Sequence, residues 1–88
     1  MKLSDFVARR VADHGVTNVF MVTGGGAMHL NDSFGFEPRL RCVFNHHEQA
    51  CAIAAEGYAR VSGRPALVNV TTGPGGVNAL TGVHGAWT

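Results

Sequence analysis

Three short runs rich in β-branched and aromatic residues constrain the fold of this chain more than any other feature. They are VTNVFMV at 16–22, LRCVF at 40–44 and ALVNVT at 66–71. Each is followed by a polar or glycine-rich break, TGGG, NHHE and TGPGG in turn, and then by a stretch patterned as a helix. The first run lacks clean alternation, which fits a strand buried on both faces. A helix precedes it, from a cap at Ser4 or Asp5 to about residue 14. Phe6, Val7, Val11 and Ala12 turn inward there and Arg9, Arg10 and Asp13 outward. A short helix at 27–34 breaks around Gly35 and Pro38. A long one at 48–62 is closed by Gly63. A last one runs from about Gly75 to Trp87, with Pro74 in its first turn. Helices and strands therefore alternate, which predicts an α/β fold: a parallel sheet of three strands flanked by helices. In parallel units every strand-to-helix loop leaves the carboxyl edge of the sheet, where open α/β sheets bind ligands. Gly24, Gly25 and Gly26, the 45–48 break and the 71–76 turn are thus expected on one edge.

Composition narrows the classes. The 88 residues suffice for one small domain at most, and a formal charge of +1 with no basic run gives no case for nucleic acid or an anionic membrane. Hydrophobic residues make up 45%, too many for a disordered chain. The opening MKLSDFVARR carries no apolar signal region, and no apolar run reaches the length of a membrane span. Cys42 and Cys51 form no CxxC pair and are read as small reduced core residues of a cytoplasmic protein.

The 12 glycines are clustered rather than spread as in a linker, which signals close backbone approach or tight turns. TGGGAMH is not GxGxxG, and no GxxxxGK[ST] occurs, so the standard dinucleotide and P-loop readings fail. His46-His47-Glu48 is not HExxH, because position 51 is Cys. A metal there would need ligands from elsewhere, such as His29 or His84, and no metal ligand is assigned. The 48–62 helix has almost no polar face; only Gln49, Glu56 and Arg60 interrupt its small apolar residues. Such a helix is expected to be buried on several sides, with Ala54 or Ala55 against another helix, and so to need a partner in more chain or in a second subunit. Glu48 stands at its mouth. An acid in a first helical turn is favoured by the helix dipole by about 0.3–1 kcal/mol. On the ligand edge, partly desolvated, its pKa should rise, so that it could share a proton with a basic nitrogen of a ligand.

The stretch from His47 to Trp87, HEQACAIAAEGYARVSGRPALVNVTTGPGGVNALTGVHGAW, carries a family pattern. It holds Glu in HEQ, then AEGYAR-x-[ST]-G, a strand, and T-x-GPG-x-x-N-x-x-x-G. This resembles the pyrimidine-binding domain of thiamine diphosphate-dependent enzymes, nearest the acetolactate synthase-like 2-oxo acid carboligases and decarboxylases. The likeness extends over essentially the whole chain. It implies that Glu48 is the catalytic glutamate that hydrogen-bonds N1′ of the cofactor's aminopyrimidine. That contact favours the tautomer that removes the thiazolium C2 proton. It also implies that Gly24, Gly25, Thr72, Gly73, Pro74 and Gly75 line the pyrimidine side, with Asn78 nearby. The diphosphate and Mg²⁺ are held in that family through a GDG…N motif on a later domain. No GDG occurs here, so residues 1–88 are expected to be a partial amino-terminal domain of a longer, homodimeric or tetrameric cytoplasmic enzyme. Its expected substrate is a 2-oxo acid such as pyruvate, in branched-chain amino acid biosynthesis, with FAD a further cofactor open for the parent. The fragment alone is expected to be inactive.

Two rivals stand beside this reading. One is a non-ligating 2-oxo acid decarboxylase of the same family, separable only by substrate-facing residues. The other is a non-catalytic flavodoxin-like module for phosphate or nucleotide. That module would need no acid at position 48 and would complete its sheet within the domain. His46 and His47 are left without a role.

Overall fold

A computed structural model describes residues 2–87. Among them the elements run α1 (Leu3–Asp13), β1 (Asn18–Met21), α2 (Met28–Phe36), β2 (Arg41–Phe44), α3 (Glu48–Ser62), β3 (Leu67–Asn69), α4 (Pro74–Asn78) and α5 (Leu80–Trp87), with a 3₁₀ turn (Gly25–Ala27) before α2. β1 is the central strand and pairs parallel with both neighbours, in the order β2-β1-β3. The expected parallel α/β architecture is therefore present. The register aligns Met21 with Phe44 on one side and with Asn69 on the other. All three strands thus end at one level, and their following loops start from one edge.

The sheet is covered on both faces. Val19 and Met21 of β1 pack with Ala8, Phe34 and Leu40, the α1–α2 side. Phe20, pointing the other way, packs with Cys51 and Ala55 of α3. Its ring meets Tyr58 edge-on, centroids 6.0 Å apart, and the Tyr58 hydroxyl lies 3.0 Å from Thr17 Oγ1. A central strand with neighbours on both sides and helices on both faces has no wet face, which is why its sequence does not alternate. Cys42 and Cys51 are free thiols, half-buried and buried, and burial pushes both upward in pKa.

Four local expectations need correction. Neither Ser4 nor Asp5 caps α1. The helix starts earlier, from Lys2, without a side-chain cap. The Ser33 hydroxyl instead donates to Asp5 Oδ1 at 2.6 Å and lies 2.8 Å from Ser4 Oγ, which ties α1 to α2. Phe6 is exposed, its ring 6.0 Å from the Arg10 guanidinium carbon. The inward stripe is Ser4, Val7, Ala8 and Val11, spaced i, i+3, i+4, i+7, and Phe6 lies two residues off it. α2 does not break at Gly35 but continues to Phe36 and ends before Pro38; one exposed helical glycine costs only about 0.5–1 kcal/mol. The last helix is two helices, α4 and α5, separated at Ala79. The interruption is slight: Ala79 keeps right-handed helical dihedrals, and Asn78 and Gly82 meet Glu48 and Ala52 of α3 at matching four-residue intervals.

α3 spans the expected residues and ends on Gly63 at φ +71°, whose N–H donates to Ala59 O. It is not buried on several sides. Cys51, Ala52 and Ala55 are covered by the sheet and α5, whereas Ile53 is half exposed and Val61 is 91% exposed. Its closest helical neighbour is α5 of the same chain, and the tight contact is Ala52 on Gly82. Ala55 belongs to the Phe20 cluster. Among the described residues no helix is long and apolar enough to cross a membrane.

Candidate functional site

The carboxyl edge brings the three breaks together through Thr71. A methyl group on Gly24 would lie 2.6 Å from Thr71 Cβ, and one on Gly26 would lie 2.7 Å from Thr72 Oγ1. Both distances are below any real carbon contact, so the first turn is glycine because it lies directly on the third. The Gly26 N–H donates to Thr71 Oγ1 at 3.2 Å. A second tie runs through buried Asn69 at the end of β3. Its Nδ2 donates to Asn31 Oδ1 at 2.6 Å, and Asn31 Nδ2 donates to Gly24 O at 3.4 Å. Neither the GGG run nor the TTGPGG run is a free loop; each is the other's packing surface.

Glu48 opens α3 and is half-buried. Its Oε1 accepts from Asn78 Nδ2 at 2.9 Å. Asn78 Oδ1 accepts from Gln49 Nε2 at 3.0 Å, and Asn78 Nδ2 also lies 3.2 Å from His47 Nε2. His47 is the N-cap of α3, its Nδ1 accepting from the Gln49 N–H at 3.2 Å. Gly75 is buried beside this cluster. A methyl there would lie 2.8 Å from Thr71 Cγ2 and 3.7 Å from Glu48 Oε2. Thr71 and Gly75 thereby link the glycine turns to the carboxylate.

The pKa shift of Glu48 runs opposite to the expected direction. The Asn78 N–H holds its carboxyl below the usual glutamate range, its own backbone N–H adds to this, and His47 lowers it further; burial acts the other way and loses. A half-buried carboxylate with an aimed donor is stabilised in its ionised form. Its contribution to stability is therefore present above the usual glutamate pKa and is lost as pH falls through the lowered folded value. The Glu48 Cδ resonance is expected to titrate below the ordinary range, and Asn78→Ala to move that midpoint upward. An unmoved midpoint in the variant would remove Asn78 as the cause.

The structure thus brings Glu48, Asn78 and Gly75 into one cluster and joins Gly24 to it through Thr71. Thr72 touches the first turn at Gly26. Gly73, at φ +70°, precedes Pro74, the first residue of α4, and both are exposed. Gly25 begins the 3₁₀ turn. Five residues had no assigned role in the sequence: His47, Gln49, Thr71, Asn31 and Asn69. Thr71 and Gln49 carried a signal, since each is polar and adjoins a singled-out residue. Nothing local marked Asn31 or Asn69, which meet across 38 residues. Among the described residues no group of three or more His, Cys, Asp and Glu is placed to hold a metal ion. A concavity of about 640 Å³ opens on the same edge, lined by Met21, Thr23, His29, Asn31 and Phe44 among others; Glu48 does not line it.

Comparison with known families matches residues 1–88 to the thiamine pyrophosphate enzyme N-terminal TPP binding domain. Among curated proteins, acetolactate synthase 2, chloroplastic, of Nicotiana tabacum is 38% identical over 85 residues, 97% of this chain and 13% of that protein. The chloroplastic acetolactate synthase of Arabidopsis thaliana is 36% identical with the same coverage of both. The acetolactate synthase large subunit of Haemophilus influenzae is 36% identical over 85 residues, 97% of this chain and 15% of that protein. The chain spans 13–15% of the length of these relatives.

Proposed function

We propose, from the premise that this chain belongs to the thiamine pyrophosphate enzyme family as part of its N-terminal TPP-binding domain, that it is the pyrimidine-binding piece of a longer acetolactate synthase-like enzyme. The observation that carries this is the position of Glu48, at the start of α3 on the shared loop edge, hydrogen-bonded to Asn78 and beside Gly75. The half-buried Glu48 carboxyl, held on the loop edge by the Asn78 amide, is a group that fits a basic ring nitrogen such as that of an aminopyrimidine. When bound, thiamine diphosphate supplies the electron sink for decarboxylation of a 2-oxo acid. Glu48 holds a proton at N1′ of the aminopyrimidine, and Asn78 orients Glu48. Gly24, Gly25, Thr72, Gly73, Pro74 and Gly75 form the backbone wall on the pyrimidine side. Magnesium and the diphosphate belong to residues outside 1–88, as does any FAD. The parent works as a homodimer or tetramer in the cytoplasm, on pyruvate and a second 2-oxo acid. The exposed Ile53, Val77, Leu80 and Val83 support its need for further protein surface.

Turnover of the full-length parent with pyruvate, thiamine diphosphate and Mg²⁺ tests this reading. Carbon dioxide release with a five-carbon 2-hydroxy-2-methyl-3-oxo acid as product is the expected result. Free acetaldehyde instead would select the non-ligating decarboxylase, and no turnover would overturn both. The 88-residue chain by itself is expected to be silent and to bind the cofactor weakly in a calorimetric titration. Among its described residues no group of three or more His, Cys, Asp and Glu is placed to hold the metal through which the diphosphate would be bound. Tight magnesium-dependent binding by this chain would show that the proposed division of the site is wrong.

A further inference from the structure

The donors and acceptors around Asn78 do not balance in a single arrangement. A neutral imidazole has one N–H and one accepting nitrogen. His47 nevertheless faces a donor at both, the Gln49 backbone N–H at Nδ1 and Asn78 Nδ2 at Nε2. If Nδ1 accepts and caps α3, Nε2 carries a proton and points it at the amide nitrogen of Asn78. If Nε2 accepts from Asn78, Nδ1–H opposes the Gln49 N–H and the cap is lost. The conflict disappears if the Asn78 carboxamide turns over. Oδ1 then accepts from His47 Nε2–H while Nδ1 keeps its cap, and Gln49 turns its own amide so that its Oε1 accepts from Asn78 Nδ2.

That second arrangement places Asn78 Oδ1 against Glu48 Oε1, now occupied by the facing Nδ2 at 2.9 Å. Two acceptors cannot share that contact unless Glu48 carries a proton and donates it. Each arrangement therefore belongs to one charge state of Glu48. As a carboxylate it requires the Asn78 donor. As an acid it donates to Asn78 Oδ1, and His47 then has both of its bonds. The titratable side chains near Glu48 are His47 and Cys51, whose thiol is raised by burial and by the Glu48 charge; α4 contributes none.

We propose that Asn78 is a positioning residue that turns its carboxamide over as Glu48 gains or loses a proton, exchanging a donated hydrogen bond for an accepted one while His47 changes tautomer. Glu48 keeps a partner in both states, so its own carboxyl is never left unpaired on a half-buried edge; only the protonated state also gives His47 both of its bonds and α3 its cap. The relevance to a proton held at N1′ rests on the cofactor reading above. The hydrogen-bond balance itself does not, and its test uses no cofactor.

The test reads the His47 ring nitrogens by ¹⁵N NMR of this chain, above the pH at which imidazole titrates. In the unaltered chain Glu48 is ionised, and His47 is expected mainly as the Nδ1–H tautomer, accepting from Asn78 and giving up the contact that Nδ1 makes with the Gln49 N–H. Glu48→Gln presents an N–H in place of the acid proton. It is expected to invert the tautomer to Nε2–H and to shift the Asn78 side-chain amide. In an Asn78→Ala background His47 caps α3 whatever occupies position 48, so the tautomer is expected not to respond. A structural role alone would leave the tautomer indifferent to residue 48 in both backgrounds. The same tautomer in the unaltered chain and in Glu48→Gln overturns the proposal. So does an inversion that survives Asn78→Ala. Should Asn78→Ala fail to fold, the first comparison decides. Absence of 2-oxo acid turnover by the parent would sink the cofactor reading and leave this result standing.

Discussion

Glu48→Gln in the full-length parent is expected to slow exchange of the C2 proton of bound thiamine diphosphate by about 10²–10⁴-fold, the range over which a positioned acid or base contributes, while the fold persists. The substitution keeps the size and an amide that can pair with Asn78, so Asn78 retains a partner at position 48. What is lost is the group that can take and return a proton. Its position also matters. Glu48 is held by α3 on one side and by Asn78 of α4 on the other, 30 residues away in sequence, so the carboxyl is oriented before any ligand arrives. Proton exchange read by quenched NMR, with circular dichroism as the control for folding, checks this. Near-normal exchange in a folded variant would end the role assigned to Glu48.

Gly82→Leu is expected to destabilise the chain by about 3 kcal/mol, the upper end for overpacking a closed contact. Even a methyl at position 82 would lie 2.7 Å from the carbonyl carbon of Ala52 and 2.9 Å from its Cα. These are backbone atoms of α3, not the end of a side chain that can swing away. Two helices would have to separate, and the separation would expose Ala52 and the apolar groove that Ala55 and Val68 share with Val83. Because α4 carries Asn78 immediately before α5, the same displacement is expected to pull the donor from Glu48 and raise its titration midpoint. Thermal unfolding gives the first effect and the Glu48 Cδ titration the second. A variant with an unchanged melting temperature would mean that α5 does not sit against α3 as described.

The order of elements, the parallel sheet and the common edge of the three loops were all legible in the sequence. The reason is that they rest on local signals. Residues 16–22 are β-branched and apolar, α3 is bounded by Glu48 and Gly63, and Pro74 opens a helix. Once strands and helices alternate, chain connectivity alone sends every strand-to-helix loop to the carboxyl edge. Glu48 could be singled out for the same reason, as an acid at a helix start on that edge.

What the sequence could not decide depended on contacts between distant residues. Ser4 and Asp5 look like caps until Ser33, 28 and 29 residues on, engages them. Phe6 looks like core because it is aromatic, but the α1 face that meets β1 carries Ala8, and Phe6 lies off it. The last helix looks continuous, and nothing local between Asn78 and Leu80 marks its interruption at Ala79, which itself stays in right-handed helical conformation. The direction of the Glu48 shift was the largest reversal. Desolvation can be inferred from a patch of apolar neighbours, but a donor at 2.9 Å cannot. Hydrogen bonding acts at one contact distance with a defined direction, and only the folded chain places Asn78 Nδ2 there.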